Sequence, residues 1–168
     1  MKERCPICGA ESELEFLPYE IPHFGEALFF TAVCPSCGFR SADLMLLAGE
    51  GESGERSGRG RRCEFEVSSV RDLNARVVRS SFGRIEIPEL GVSVEPRRGE
   101  AFISTVEGVL KRVEKVVKML SRNARNEEKK RAEAVLKRLE KIKSGEGEEK
   151  VTLIIDDPTG NSAIIGVS

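Results

Sequence analysis

The chain has 168 residues, with 27 basic and 28 acidic side chains and a formal net charge of −1. That balance argues against a protein built to coat nucleic acid, which carries a basic surplus, so no DNA partner is expected. No apolar run approaches the 18 residues of a membrane span, and the polar start MKERCPICG does not read as a secretory signal, so a cytoplasmic protein without a membrane partner is expected.

Two matched knuckles come first in the chain: Cys5, Pro6, Ile7, Cys8, Gly9 and Cys34, Pro35, Ser36, Cys37, Gly38. A C-x-x-C pair lets one tight turn supply two thiolates, and zinc prefers four such ligands in a structural site. The glycine after each pair permits the positive φ that wraps the backbone around a metal. The spacing therefore predicts a zinc ribbon holding one structural Zn2+ through Cys5, Cys8, Cys34 and Cys37. Iron in the same tetrathiolate set and a pair of disulfides or redox dithiols are the alternatives. Five cysteines without a secretory signal favour a metal site over a disulfide framework.

Between the knuckles, residues 14–17 and 27–33 read as strands, and 40–47 as a third. Ile21 to Glu26 reads as the loop of the ribbon, because Pro22 and Gly25 both interrupt regular structure. Residues 48–62, rich in glycine, arginine and glutamate, read as a flexible linker that has nothing to bury. Alternating and β-branched segments at 63–67, 75–78, 84–87 and 92–94 predict short strands of a sandwich or β-roll.

From Ser104 the period changes. Val106, Val109, Leu110, Val113, Val116, Val117 and Leu120 lie at helical spacing, and Ser104 with Glu107 forms a capping-box pattern. A second stripe runs through Ala132, Val135, Leu136, Leu139 and Ile142. Together they predict an antiparallel helical hairpin at about 104–144. Strands return at 151–155 and 163–165 around a turn at Asp156–Ser162, so the hairpin reads as an insertion into one β domain. The expected organisation is a ribbon at 1–47, a linker at 48–62 and a β domain at 63–168. Absence of glutamine and a charged fraction of 33% are the composition of proteins from hot environments.

These segments resemble the ZPR-type zinc finger family. The resemblance rests on both knuckles, IPHFGE at 21–26, RDLNARVVRS at 71–80, IEIPELG at 85–91, STVEGVL at 104–110 and DDPTGNS at 156–162, in the family's order along nearly the whole chain. It implies a mainly β (α+β) protein, with an N-terminal zinc ribbon followed by a double-stranded β-helix or jelly-roll-like domain carrying the inserted hairpin. The eukaryotic members resemble two such modules in tandem, whereas this chain resembles an archaeal, single-module relative. The resemblance further implies a partner, the translation elongation factor 1-alpha GTPase, and help with its folding.

A catalytic reading finds no footing in the residues. His23 is the only histidine, so a two-histidine facial triad cannot form, and no nucleophile–base pair is evident. Partner contact is expected instead at Ile21, His23, Phe24 and Glu26, and at Asp157 and Asn161 in the later turn. The plain alternatives are a turn residue for His23, a ribbon core residue for Phe24 and a structural turn at Asp156–Ser162. Cys63 reads as a buried strand residue. The arginines at 56, 59, 61 and 62 leave RNA or ribosome contact as the alternative function.

Overall fold

The computed structural model describes residues 1–21, 25–47, 60–146 and 148–166. The protein is mostly β, a four-stranded ribbon sheet followed by a jelly roll with a helical hairpin. The ribbon sheet runs in the order β1 (Lys2–Arg4), β2 (Glu11–Ile21), β3 (Gly25–Val33), β4 (Arg40–Leu46), each strand antiparallel to the next.

The ribbon strands exceed expectation. Strand β1 has no apolar residue to announce it, and is held by pairing Lys2 with Glu13 and Arg4 with Glu11. Strands β2 and β3 continue pairing to Ile21 opposite Gly25 and Glu20 opposite Glu26. The expected loop at Ile21–Glu26 is therefore shorter: Ile21, Gly25 and Glu26 are strand residues, and only 22–24 intervene. His23 and Phe24 lie outside the described residues.

The second domain has two sheets. One has the order β5 (Arg61–Val67), β10 (Val151–Asp157), β7 (Arg84–Ile87), β8 (Val92–Val94). The other has the order β11 (Ala163–Ile165), β6 (Arg76–Arg79), β9 (Phe102–Thr105). Strand β5 begins at Arg61, inside the segment expected as linker, most of which is outside the described residues. Strand β9 falls where a helix start was expected. The cap moves accordingly from Ser104 to Thr105, whose hydroxyl accepts from the Gly108 N–H at 3.1 Å. Helix α1 (Val106–Ser121) and helix α2 (Asn126–Ser144) form the antiparallel hairpin.

The main core lies between the sheets and the hairpin. Val77, Ile85, Leu110, Val113, Leu139, Leu153 and Ile155 are buried in it. Two members of the expected α1 stripe are not: Val116 and Leu120 are exposed, because the buried arc is narrower than the apolar spacing suggested. Cys63 is half-buried rather than buried, since β5 is an outer strand.

A second cluster joins ribbon to jelly roll. Ile21, Ala27, Leu44 and Leu46 from the ribbon pack with Val78, Ala101 and Ala163. Burial of such side chains stabilises by about 1.5–3 kcal/mol each for the larger ones. The outer edge of β4 is closed in the same region. Ala42 donates its N–H to the Gly99 carbonyl at 2.7 Å and accepts from the Ala101 N–H at 3.1 Å. Gly99 has φ +82°, and a Cβ there would lie 2.9 Å from the Cβ of Ser41, so glycine is required for this approach.

Candidate metal centre and its surroundings

The knuckles form one site because the strands that flank them are paired. The first connects β1 to β2 and the second β3 to β4, and Glu13 opposite Val33 puts both at one end of the sheet. Each is closed by the same two backbone bonds. In the first, the Gly9 N–H donates to the Cys5 carbonyl at 2.9 Å and the Cys5 N–H to the Ala10 carbonyl at 2.8 Å. In the second, the Gly38 N–H donates to the Cys34 carbonyl at 3.0 Å and the Cys34 N–H to the Phe39 carbonyl at 2.8 Å. Gly9 and Gly38 have φ of +76° and +77°, as the spacing predicts.

The four sulfurs lie within 4.8 Å of one another. Cys5 and Cys37 sulfurs are 3.6 Å apart, and those of Cys8 and Cys34 are 3.4 Å apart. A Zn–S bond of about 2.3 Å in a tetrahedron requires sulfurs roughly 3.8 Å apart, so the set suits one zinc ion. All four corners are sulfur, which leaves no protein-defined open position for substrate.

Electrostatics at the site is set by backbone donors and by crowding. The Cys34 thiol is brought down to about 6, chiefly by the backbone N–H of Cys37. Cys5 is also lowered, chiefly by the N–H of Cys8. The Phe39 N–H works to lower Cys37, but desolvation and the neighbouring sulfurs push it up to about 12. Four thiolates cannot share so small a volume without a cation, and a divalent metal supplies the compensating charge.

The other expected contact residues fall into two places. Ile21 is 1% exposed in the cluster that joins the ribbon to the jelly roll, whereas Glu26 is exposed. Asp157 is 0% exposed and ends strand β10 rather than lying in a turn. Its carboxylate accepts from the hydroxyls of Ser80 (2.6 Å), Ser162 (2.6 Å) and Thr159 (2.6 Å), and from the Thr159 N–H (2.8 Å). Burial works to raise its pKa, but these four donors outweigh it and hold the carboxyl below its usual range. Asn161 accepts the Leu46 N–H through its side-chain oxygen at 3.2 Å, which ties the turn after β10 to ribbon strand β4.

Signature segments far apart in sequence are thus cross-ties. Ser80 and Asp157, 77 residues apart, share one buried network. Arg79, 2% exposed, donates to the carbonyls of Gly83 (2.9 Å), Glu95 (2.9 Å) and Glu100 (3.1 Å). Ser81 donates its hydroxyl to Asp43 of β4 at 2.8 Å. Arg79, quoted only within the 71–80 segment, and Ser81 were given no role by the sequence, because nothing local marks an arginine or serine as buried.

Among the described residues, one face of the ribbon sheet is left uncovered. Phe16 is opposite Phe30, Pro18 opposite Leu28, and Leu28 opposite Met45, so these side chains share a face. Phe16 and Met45 are exposed, and Phe16 meets Phe30 edge to face with centroids 5.2 Å apart. At the zinc end this face opens into a cleft of about 430 Å³ lined by Pro6, Leu14, Phe30 and Phe39 together with the charged residues Glu3, Arg4, Asp43 and Arg98. The alternation Glu13, Leu14, Glu15, Phe16 in β2 is the signal that could have identified it.

A four-cysteine ribbon on a jelly roll with a helical hairpin defines a class of zinc-binding protein. Residues 1–49 match the ZPR1 zinc-finger domain, and residues 71–167 match the ZPR1 jelly-roll domain. The chain belongs to the ZPR1 family. It is 44% identical over 166 residues to an uncharacterised ZPR1-like protein of Methanocaldococcus jannaschii, covering 96% of this chain and 79% of that protein. An uncharacterised ZPR1-like protein of Pyrococcus horikoshii is 39% identical, with 96% and 71% covered. The zinc finger chaperone zpr1 of Schizosaccharomyces pombe is 30% identical over 109 residues, which are 65% of this chain and 22% of that protein.

Proposed function

We propose that this chain is a zinc-dependent, non-enzymatic binding protein of the cytoplasm that engages the translation elongation factor 1-alpha GTPase and assists its folding. The observation that carries this reading is the uncovered apolar face of Phe16, Pro18, Leu28, Phe30 and Met45, held in shape by a ribbon that the zinc centre organises. A contiguous apolar face on a protein surface marks a place where another protein docks. Family membership and the chaperone name of the fission-yeast relative point the same way. The described helices include none long and apolar enough to cross a membrane, in keeping with a cytoplasmic client.

On this reading zinc acts through folding. Metal binding at a four-thiolate site is folding free energy, so the face exists only while the ribbon is metallated. Ile21 and Asn161 then seat the ribbon on the jelly roll, Asp157 holds the turn that carries Asn161, and Glu26 stands exposed at the far end of the uncovered face. The test is binding of the zinc-loaded chain to elongation factor 1-alpha, nucleotide-free and with GDP or GTP, at two salt concentrations. RNA is the parallel ligand. Stoichiometric, nucleotide-sensitive binding that chelation or Cys34→Ser abolishes is expected. Binding that survives demetallation, or salt-sensitive binding to RNA alone, would sink the proposal.

A further inference from the structure

The two edges of the ribbon sheet end differently. The β4 edge is closed by the main-chain bonds of Ala42 to Gly99 and Ala101. At the other edge, β1 pairs with β2 only as far as Glu13, and the Leu14 N–H donates to the Met1 carbonyl at 2.8 Å. Beyond that point no strand among the described residues pairs with the outer edge of β2. Glu15, Phe16, Leu17, Pro18 and Glu20 are all exposed.

Main-chain groups alternate sides along an antiparallel strand. Because the Leu14 N–H points toward β1, the N–H and carbonyl of Phe16 and Glu20, and the carbonyl of Pro18, also point outward. This is an open row of hydrogen-bonding groups beside an apolar face.

We propose that the open edge of β2 receives, as an added strand, an extended segment of a protein partner that combines apolar and basic residues. The inference rests on the client-binding reading above and names the mode of contact. Strand addition draws affinity from main-chain bonds and specificity from alternate side chains. On one side of such a strand, side chains meet Phe16 and Pro18, which belong to the uncovered face. On the other side they meet Glu15 and Leu17, since Glu13 is already covered by Lys2 of β1. Strand β2 contains four glutamates and no basic residue. Glu11 pairs with Lys2 at 3.6 Å, while Glu13, Glu15 and Glu20 have no ion-pair partner among the described residues.

The same features select against the commonest wrong occupant. A second copy added along this edge would set glutamates against glutamates, and directly opposed like charges destabilise a strand pair. Pro18 withholds the outward donor at the centre of the edge, a device that blunts self-pairing. A basic partner strand loses only that one bond and gains the charge contacts.

The test uses zinc-loaded full chain and follows hydrogen exchange at the amides of Phe16 and Glu20. The probes are a synthetic peptide of about ten residues alternating valine and lysine, the same alternation with glutamate in place of lysine, and elongation factor 1-alpha. The lysine peptide and the factor are expected to slow both amides by about tenfold or more, and the glutamate peptide to leave them unchanged. Glu15→Lys with Glu20→Lys, both on exposed positions of the open stretch, is expected to reverse the peptide preference. If the factor binds without protecting either amide, the edge proposal is overturned while the client reading stands. If the factor fails to bind but the lysine peptide protects both amides, the edge stands and the named client falls. Protection by neither ligand, or protection arising only from self-association of the chain, overturns the proposal.

Discussion

Replacing Asp157 by alanine is expected to cost about 3–5 kcal/mol of unfolding free energy, far more than one surface carboxylate. The residue is fully buried, and its two oxygens accept four hydrogen bonds from Ser80, Ser162 and Thr159. Thr159 lies near solvent and can exchange its partner for water. Ser80 and Ser162 cannot, being 0% and 1% exposed. Their two stranded hydroxyl donors cost about 1–3 kcal/mol each, and the lost charge-assisted bonds add to that. The assay is urea unfolding of zinc-saturated wild type and variant at neutral pH, then at acid pH. The carboxyl's pKa is depressed in the folded state. Its stabilisation is therefore fully present above the unfolded value of about 3.9 and is lost as pH falls through the folded value. The difference between the two proteins should accordingly shrink below about pH 4, while acid release of zinc, common to both, cancels in the difference. A neutral-pH loss below about 1 kcal/mol would refute the claim that this network ties the two signature segments together.

Two further substitutions probe the joints between the domains. Ile21→Ala is expected to destabilise the zinc-loaded protein by about 2–4 kcal/mol in thermal unfolding, because Ile21 fills the cluster shared by ribbon and jelly roll; an unchanged transition would place Ile21 outside that core. Arg79→Lys is expected to cost about 2–4 kcal/mol despite keeping the charge, since a single ammonium cannot reach the carbonyls of Gly83, Glu95 and Glu100 at once; full stability of the lysine variant by chemical denaturation would show that the fork geometry is dispensable.

Spacing within a few residues determined the metal centre. Each C-x-x-C-G knuckle is a local turn whose geometry follows from its own backbone bonds, so the sequence was enough to name Cys5, Cys8, Cys34 and Cys37 as candidate ligands. Periodicity likewise fixed the helical hairpin and most strands, because burial on one face imposes a repeat on the chain. It failed where the repeat carries no apolar signal, as in β1, or where a strand runs directly into a helix, as β9 runs into α1. Tertiary structure alone decided what the polar signature residues do. Asp157 reads locally as a turn former, but its partner Ser80 is 77 residues away, and Asn161 meets Leu46 across 115 residues. Ile21 reads as a loop residue until β4 and the jelly roll close over it. The open edge of β2 was equally invisible, and the uncovered face beside it left only the Glu13–Phe16 alternation as a trace, because which edge and face of a sheet stay free depends on where the second domain docks.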